Sequence, residues 1–293
     1  MDERSNRQAL VSRILTFSCV DGPGNRLVLF LQGCNFNCIT CHNPHTINHC
    51  NHCGDCIATC PTAALTMDER GKVLWHEAQC TNCDKCTDVC THNANPRIKR
   101  YTVMEIRELV RMHRFFLSGV TVSGGEATTQ LPFIIELFAA LKSDPELKHL
   151  TCFIDSNGHL PQSAWEKVSH CLDGAMIDLK SWQNDTHRWL TGRDNHRVIP
   201  SIKYLARVGK LHEVRLLHIP GKSDLDTEVE PVAELLNSLP DTVQVKLNAF
   251  QHHGVVGEAL DWEKCSEAEM NRFHQLLAAR TGDRRLTLPR VYL

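Results

Sequence analysis

Eleven of the fifteen cysteines in this 293-residue chain fall between Cys34 and Cys90, and their spacing constrains the fold more than any other feature. Cys34, Cys38 and Cys41 follow C-x3-C-x2-C. Cys50, Cys53, Cys56 and Cys60 follow C-x2-C-x2-C-x3-C and lead into Pro61, and Cys80, Cys83, Cys86 and Cys90 repeat that spacing with Thr91 in the proline's place. Disulfide scaffolds are characteristically short and secreted, whereas this chain is long and its polar start, Met1 to Gln8, leads into no signal-type apolar stretch. The expected setting is cytoplasmic, where clustered thiols read as thiolate ligands for soft metals. From Cys34 to about Asn95 there is too little apolar periodicity to build a core from side chains, so metal is expected to organise the segment. Cys152, Cys171 and Cys265 read as buried small apolar residues, and so does Cys19, which lies outside any spaced motif.

Three thiolates in one short loop can hold three irons of a [4Fe-4S] cube and leave the fourth iron open to a substrate. A zinc site would take four ligands, with His42 available as the fourth. The two four-cysteine repeats match the two-cluster ferredoxin spacing, in which each repeat's fourth cysteine serves the other repeat's cluster. One cluster would then use Cys50, Cys53, Cys56 and Cys90, the other Cys80, Cys83, Cys86 and Cys60. A pair of zinc ribbons is the competing reading. His45, His49, His52, His76 and His92 crowd the same stretch and read as surface groups or as neighbours that tune the clusters.

Elsewhere the rhythm is that of an α/β protein. Residues 26–32 form a buried strand, and after Tyr101 strands are expected near 119–123, 150–155, 174–179, 212–218 and 242–248. Helices are expected near 131–142, 162–171, 197–209, 228–238 and 267–280, with capping boxes at Thr102/Glu105 and Ser266/Glu269. Six alternating strands predict a partial (β/α)6 TIM-like barrel with right-handed crossovers, although a doubly wound open sheet satisfies the same pattern. The expected division is 10–44 for the start of the barrel, 45–97 for an inserted two-cluster ferredoxin-like domain, and 98–293 for the rest of the barrel. A net charge of −2 gives no case for nucleic acid or an anionic membrane, and no apolar run approaches the ~18 residues a membrane span needs.

Asp21-Gly-Pro-Gly-Asn-Arg26, Phe30-Leu-Gln-Gly-Cys34 and Cys38-Ile-Thr-Cys41-His-Asn-Pro44 together resemble the signature of the glycyl radical enzyme activating enzymes of the radical S-adenosylmethionine (SAM) superfamily. The resemblance runs from about Leu10 to beyond Gly254. It implies that a low-potential donor, flavodoxin or ferredoxin, reduces the Cys34/Cys38/Cys41 cluster. Reductive cleavage of SAM would then give methionine and a 5′-deoxyadenosyl radical, which takes a Cα hydrogen from a glycine of a partner glycyl radical enzyme. It also implies a monomer. Ser123-Gly124-Gly125-Glu126 corresponds to the family motif that holds the amino group of SAM, with Ala127 replacing the usual proline. Thr40 stands where relatives carry an aromatic residue that packs on the adenine. Asp155, Ser156, Asp178 and the Met176 carbonyl match positions that bind a monovalent cation. Asp178 and Lys180, on one face of their strand end, match contacts to the methionine end and the glycyl peptide, which makes them the catalytic candidates. Arg215 is expected near the cofactor carboxylate, and either Gln251 or His252 supplies a contact after the sixth strand. Two other classes compete: a radical enzyme acting on a small molecule, and a non-catalytic electron-transfer or zinc-binding protein.

Overall fold

The computed structural model describes residues 7–282, 284 and 286–289. In chain order the strands and helices are β1 (Gln8–Ser18), β2 (Arg26–Leu31), β3 (Leu65–Met67), β4 (Val73–Trp75), α1 (Lys85–Asp88), β5 (Lys99–Thr102) and α2 (Val103–His113). Then follow β6 (Gly119–Gly124), α3 (Leu131–Ser143), β7 (Thr151–Ser156), α4 (Gln162–Ser169), β8 (Gly174–Leu179), α5 (Asn184–Thr191) and α6 (Val198–Arg207). The chain closes with β9 (Leu211–His218), α7 (Val229–Asn237), β10 (Gln244–Ala249), α8 (Glu267–Thr281) and β11 (Leu286–Thr287).

One nine-stranded sheet runs in the order β11-β10-β9-β8-β7-β6-β2-β1-β5. The stretch from β2 through β6 to β10 is parallel, as βαβ crossovers require. The six strands expected from sequence are these six. Three more were not anticipated: β1 and β5 extend the sheet antiparallel beyond β2, and β11 pairs with β10 at the other edge.

Alternation divides this sheet into two unlike faces. Val120, Val122, Cys152, Ile154, Ala175, Ile177, Val214, Leu216, Val245 and Leu247 point into the core shared with the helices. The intervening Ser123, Asp155, Asp178, Glu213, Arg215, Lys246 and Asn248 point the other way and line a cavity. A parallel sheet is usually apolar on both faces, so a row of charges along one face marks where the chemistry sits.

One buried cation ties the start of β2 to its neighbours. Arg26 donates from Nε to Thr121 Oγ1 (2.6 Å), from Nη1 to Thr151 Oγ1 (2.9 Å) and from Nη2 to the Val120 and Thr151 carbonyls (2.8 and 2.9 Å). Its guanidinium lies 4.3 Å from the centre of the Phe153 ring. Burial pulls its pKa down to about 10, still far above neutrality. Gly22 and Gly119 are glycine because a methyl at either would meet Arg26, at 2.9 Å from Cδ and 2.7 Å from Nη1. The Asp21–Arg26 motif therefore fastens the β1–β2 turn to the sheet.

Residues 48–94 leave the sheet and return, closed off by a parallel bridge between Asn48 and Ala94. Within them the two cysteine repeats share a backbone: φ is positive at His52, Gly54 and Ala63 and again at the equivalent Asn82, Asp84 and Asn93. Contrary to the expectation of no side-chain core, Cys56, Leu65, Val73 and Cys86 pack together with Ile57, Cys60 and Trp75 around the β3–β4 hairpin. Three of these seven are cysteines, so thiol-bearing residues share this small core with Leu65, Val73, Ile57 and Trp75.

Candidate active site

A cavity of about 880 Å³ covers the charged face of the sheet. It reaches from the β1–β2 turn to the loop after β2, where Cys34, Cys38 and Cys41 line it together with Thr40. The six strands deliver their C-terminal ends to one place, so residues distant in sequence converge there. Ser123, Gly124, Gly125, Glu126, Asp155, Ser156, Asp178, Lys180 and Arg215 all line it.

The loop after β2 is stitched on both sides. Gly33 and Cys34 donate their amides to the carbonyls of Thr46 and Ile47, while Glu126 donates its amide to Gly33 and Gly125 to Leu31. The C-terminal end of α5 holds the same loop, with the Asn37 and Ile39 amides bonded to the Thr191 and Leu190 carbonyls. The paired glycines serve this contact. A methyl at Gly125 would stand 2.5 Å from the Gly33 oxygen and 2.6 Å from that of Thr46. Gly125 thereby approaches the cysteine loop backbone to backbone, and Gly124 approaches the end of β2 at Leu31.

Glu126 is buried, and burial pushes its carboxyl upward. It accepts at Oε1 from Thr128 N (3.0 Å), Thr128 Oγ1 (2.6 Å) and Ser156 Oγ (2.9 Å), and at Oε2 from Asn157 N (2.7 Å). Oε2 thus carries one donor and retains capacity for another. Further along the sheet, Arg215 Nη1 bonds Asp155 Oδ1 (2.9 Å) and its Nε bonds Glu213 Oε1 (2.5 Å). Lys180 Nζ bonds Asp178 Oδ2 (3.0 Å), and Ser123 Oγ bonds Asp155 Oδ2 (3.0 Å). Burial raises the Asp155 carboxyl, whereas Lys180 and Arg215 outweigh burial at Asp178 and hold it below the usual range. Asp178 in turn overcomes burial to hold Lys180 protonated. Each acid nominated for a cation already faces a fixed positive side chain.

Burial pushes the Cys34 and Cys38 thiols up to about 12 and about 11, and raises Cys41 as well. Such thiols persist as thiolates only against a compensating charge, and Lys180 supplies part of it at Cys38 and Cys41. Among the described residues no three His, Cys, Asp or Glu side chains close on a single-ion site. Three thiolates carried on one short loop can each take a different iron of a cube, leaving the fourth iron open.

The insert gathers its cysteines across the repeats. Cys60, Cys80, Cys83 and Cys86 line one cavity together with Trp75, Asp84 and Arg97. Cys50 is raised by burial, with Cys90 and Cys53 as neighbouring thiols, and Cys56 goes up to about 11 through burial, with Cys86, Cys50 and Cys53 close by. Backbone amides point at sulfur in both repeats, His52 to Cys50 at 3.4 Å and Asn82 to Cys80 at 3.5 Å.

Two nominated residues stay outside the cavity. Gln251 spends its side-chain amide on the Cys265 carbonyl (2.9 Å), and His252 bonds the Trp262 carbonyl (2.8 Å). Their segment packs on the cysteine loop instead, since a methyl at Gly254 would fall 2.0 Å from the His42 oxygen. Cys19 is a further correction: it is exposed and lines the cavity instead of being buried. Asp21, Asn157, Glu213, Lys246 and Asn248 line the site without having been singled out. The alternation of β9 and β10 carries the signal for the last three, because each lies on the same face as Arg215 or beside it in register.

The Radical SAM superfamily model matches residues 28–236. The trans-4-hydroxy-L-proline dehydratase activating enzyme of Clostridioides difficile is 30% identical over 267 residues, covering 78% of this chain and 80% of that protein. The pyruvate formate-lyase 1-activating enzyme of Escherichia coli K12 is 29% identical over 255 residues, covering 84% and 83%. The crystal structure of QueE from Escherichia coli superposes with a TM-score of 0.53 at 12% identity, over 98% of this chain and 96% of that one, a likeness of fold. Family match, activating-enzyme relatives and the convergence of the cysteine loop with the glycine–glutamate loop agree: the chain belongs to the Radical SAM superfamily and, within it, to the glycyl radical enzyme activating enzymes.

Proposed function

We propose that this chain installs a glycyl radical on a partner glycyl radical enzyme, using SAM and three [4Fe-4S] clusters. The observation that carries the reading is that Cys34, Cys38, Cys41, Glu126, Asp155, Asp178, Lys180 and Arg215 share one cavity of about 880 Å³. That volume lies toward the upper end of small-ligand sites, with room for a nucleoside cofactor and a short peptide segment. When bound, the cluster supplies the electron that cleaves SAM to methionine and a 5′-deoxyadenosyl radical, which then abstracts the glycine Cα hydrogen. Cys34, Cys38 and Cys41 hold that cluster. Glu126 accepts from the ammonium of SAM through the free capacity of Oε2, and Arg215 faces its carboxylate. Asp178 and Lys180 orient the methionine end and the incoming peptide, and a monovalent cation joins Asp155, Asp178 and Ser156. The partner presents its glycine as a flexible segment entering the cavity mouth.

Consecutive strand order around a lined concavity supports a partial (β/α)6 barrel. The backbone repeat supports a two-cluster ferredoxin-like insert over 45–97, and the insert relays electrons to the SAM site from a flavodoxin or ferredoxin in an anaerobic cytoplasm. Protein purified and reconstituted without oxygen should carry about 12 irons, four per cube. It should release methionine and 5′-deoxyadenosine, and mixing it with candidate partners should generate a glycyl radical signal in the correct one. About four irons, or stoichiometric zinc, overturns the three-cluster reading. Cofactor cleavage with no radical on any candidate overturns the glycine substrate.

The relay has its own test. With Cys53 and Cys83 both replaced by serine, SAM cleavage should persist under a small chemical reductant and fall at least tenfold with a protein donor. Equal losses under both regimes would assign the insert to folding or docking.

A further inference from the structure

The two four-cysteine sites of the insert are alike in backbone and unlike in charge. The residue after the second cysteine has positive φ in both repeats, but it is Gly54 in one and Asp84 in the other. A methyl at Gly54 would stand 2.8 Å from Met67 Cε, so an apolar thioether covers that position. Arg97 occupies the place in the second repeat that Met67 occupies in the first, at the same spacing from the positive-φ residue. Its Nη2 pairs with Asp84 Oδ1 at 2.5 Å and its Nε lies 3.4 Å from Asn95 Oδ1. The guanidinium lines the cavity of Cys60, Cys80, Cys83 and Cys86. The Arg97 side chain is 13% exposed and that of Asp84 63%, so solvent screens the carboxylate far more than the guanidinium.

A cube that gains an electron gains a negative charge, and a fixed cation in a partly dry setting favours that reduced form. Resting on the three-cluster reading above, we propose that Arg97 makes the Cys60/Cys80/Cys83/Cys86 cluster the electron-holding member of the inserted pair. It takes one electron from the external protein donor, which is oxidised. It then passes the electron to the Cys50/Cys53/Cys56/Cys90 cluster. The onward direction follows from His49, which adjoins Cys50 in sequence and stands against Gly33, beside Cys34: a methyl at Gly33 would lie 3.3 Å from its Nε2. Each transfer oxidises one cluster and reduces the next, with no bond made or broken.

The test is a redox titration of the reconstituted full-length protein, without SAM, following each cluster by its paramagnetic signal. The signal lost in Cys83→Ser identifies the Arg97 cluster. In Arg97→Gln the reduced-to-oxidised ratio of that cluster at fixed potential should fall about tenfold, a 59 mV shift for a one-electron couple. The other two clusters should titrate as before. Arg97→Lys should retain most of the effect, and Asp84→Asn should shift the same cluster in the opposite direction. Should Arg97→Gln lose iron, Asp84→Asn still decides the matter: an unmoved titration there, at about 12 irons, overturns the inference. About 12 irons with an unmoved titration in Asp84→Asn and in Arg97→Gln overturns the inference and leaves the three-cluster reading standing. About four irons in the unmodified protein overturns that reading instead.

Discussion

On the proposed three-cluster reading, Cys38→Ala is expected to abolish SAM cleavage while about eight of roughly 12 irons remain, because one cube of three is lost. The two cysteine groups are complete without each other. The first lines the large cavity, and the other eight thiols lie in the insert, four of them around a cavity of their own. The loop itself should survive, since the Gly33 and Cys34 amides bond Thr46 and Ile47 and the Asn37 and Ile39 amides bond α5, none through a sulfur. Iron analysis, paramagnetic spectra and methionine release from one preparation check this. Loss of all iron would show that the insert depends on the first cluster for its fold.

The second large effect is expected at Arg215. Its side chain is 13% exposed, and it holds Asp155 and Glu213 together in the cavity wall. Arg215→Leu leaves both acids without that partner, and breaking a buried pair from one side costs about 3–5 kcal/mol. Thermal unfolding of the reconstituted variant should fall by several degrees, with SAM binding weakened as well. The double variant Arg215→Leu/Asp155→Leu separates the two roles. Stability should recover in large part, because one stranded charge is gone, while cofactor affinity should stay low. Recovery of both would mean that the pair is structural alone.

The parallel strands were legible because each is a short apolar run between turn or helix signals, and all six begin within two residues of their expected starts. β1 was not legible. Its inward residues Ala9 and Val11 alternate at one end only, and register shifts after Val11 and Leu15 break the period for the rest of the strand. α5 was missed for a different reason. Its sequence NDTHRWLT is polar, and its stability comes from burying His187, Leu190 and Thr191 against the cysteine loop. The charged positions of the site were read from motif and alternation, which suffice while a residue sits on a strand. Gln251 and His252 follow β10, where no period says which side chain turns inward. Contacts with Cys265 and Trp262, supplied by residues far along the chain, take both away.

The parallel bridge between Asn48 and Ala94 has a consequence for how such a chain can be rebuilt. The path out to the eight-cysteine segment and the path back run side by side, one strand spacing apart, about 4.8 Å. Asn48 N even bonds the Asn93 carbonyl across the gap at 3.1 Å. The segment between them is therefore a loop grafted at a single point, and a very short linker could replace it without stretching β1, β2 or β5. Such an insertion point lets a cassette be gained, lost or exchanged with little disturbance to its host. On the proposed relay reading, the same host would be wired to different electron sources by swapping what lies between two neighbouring residues.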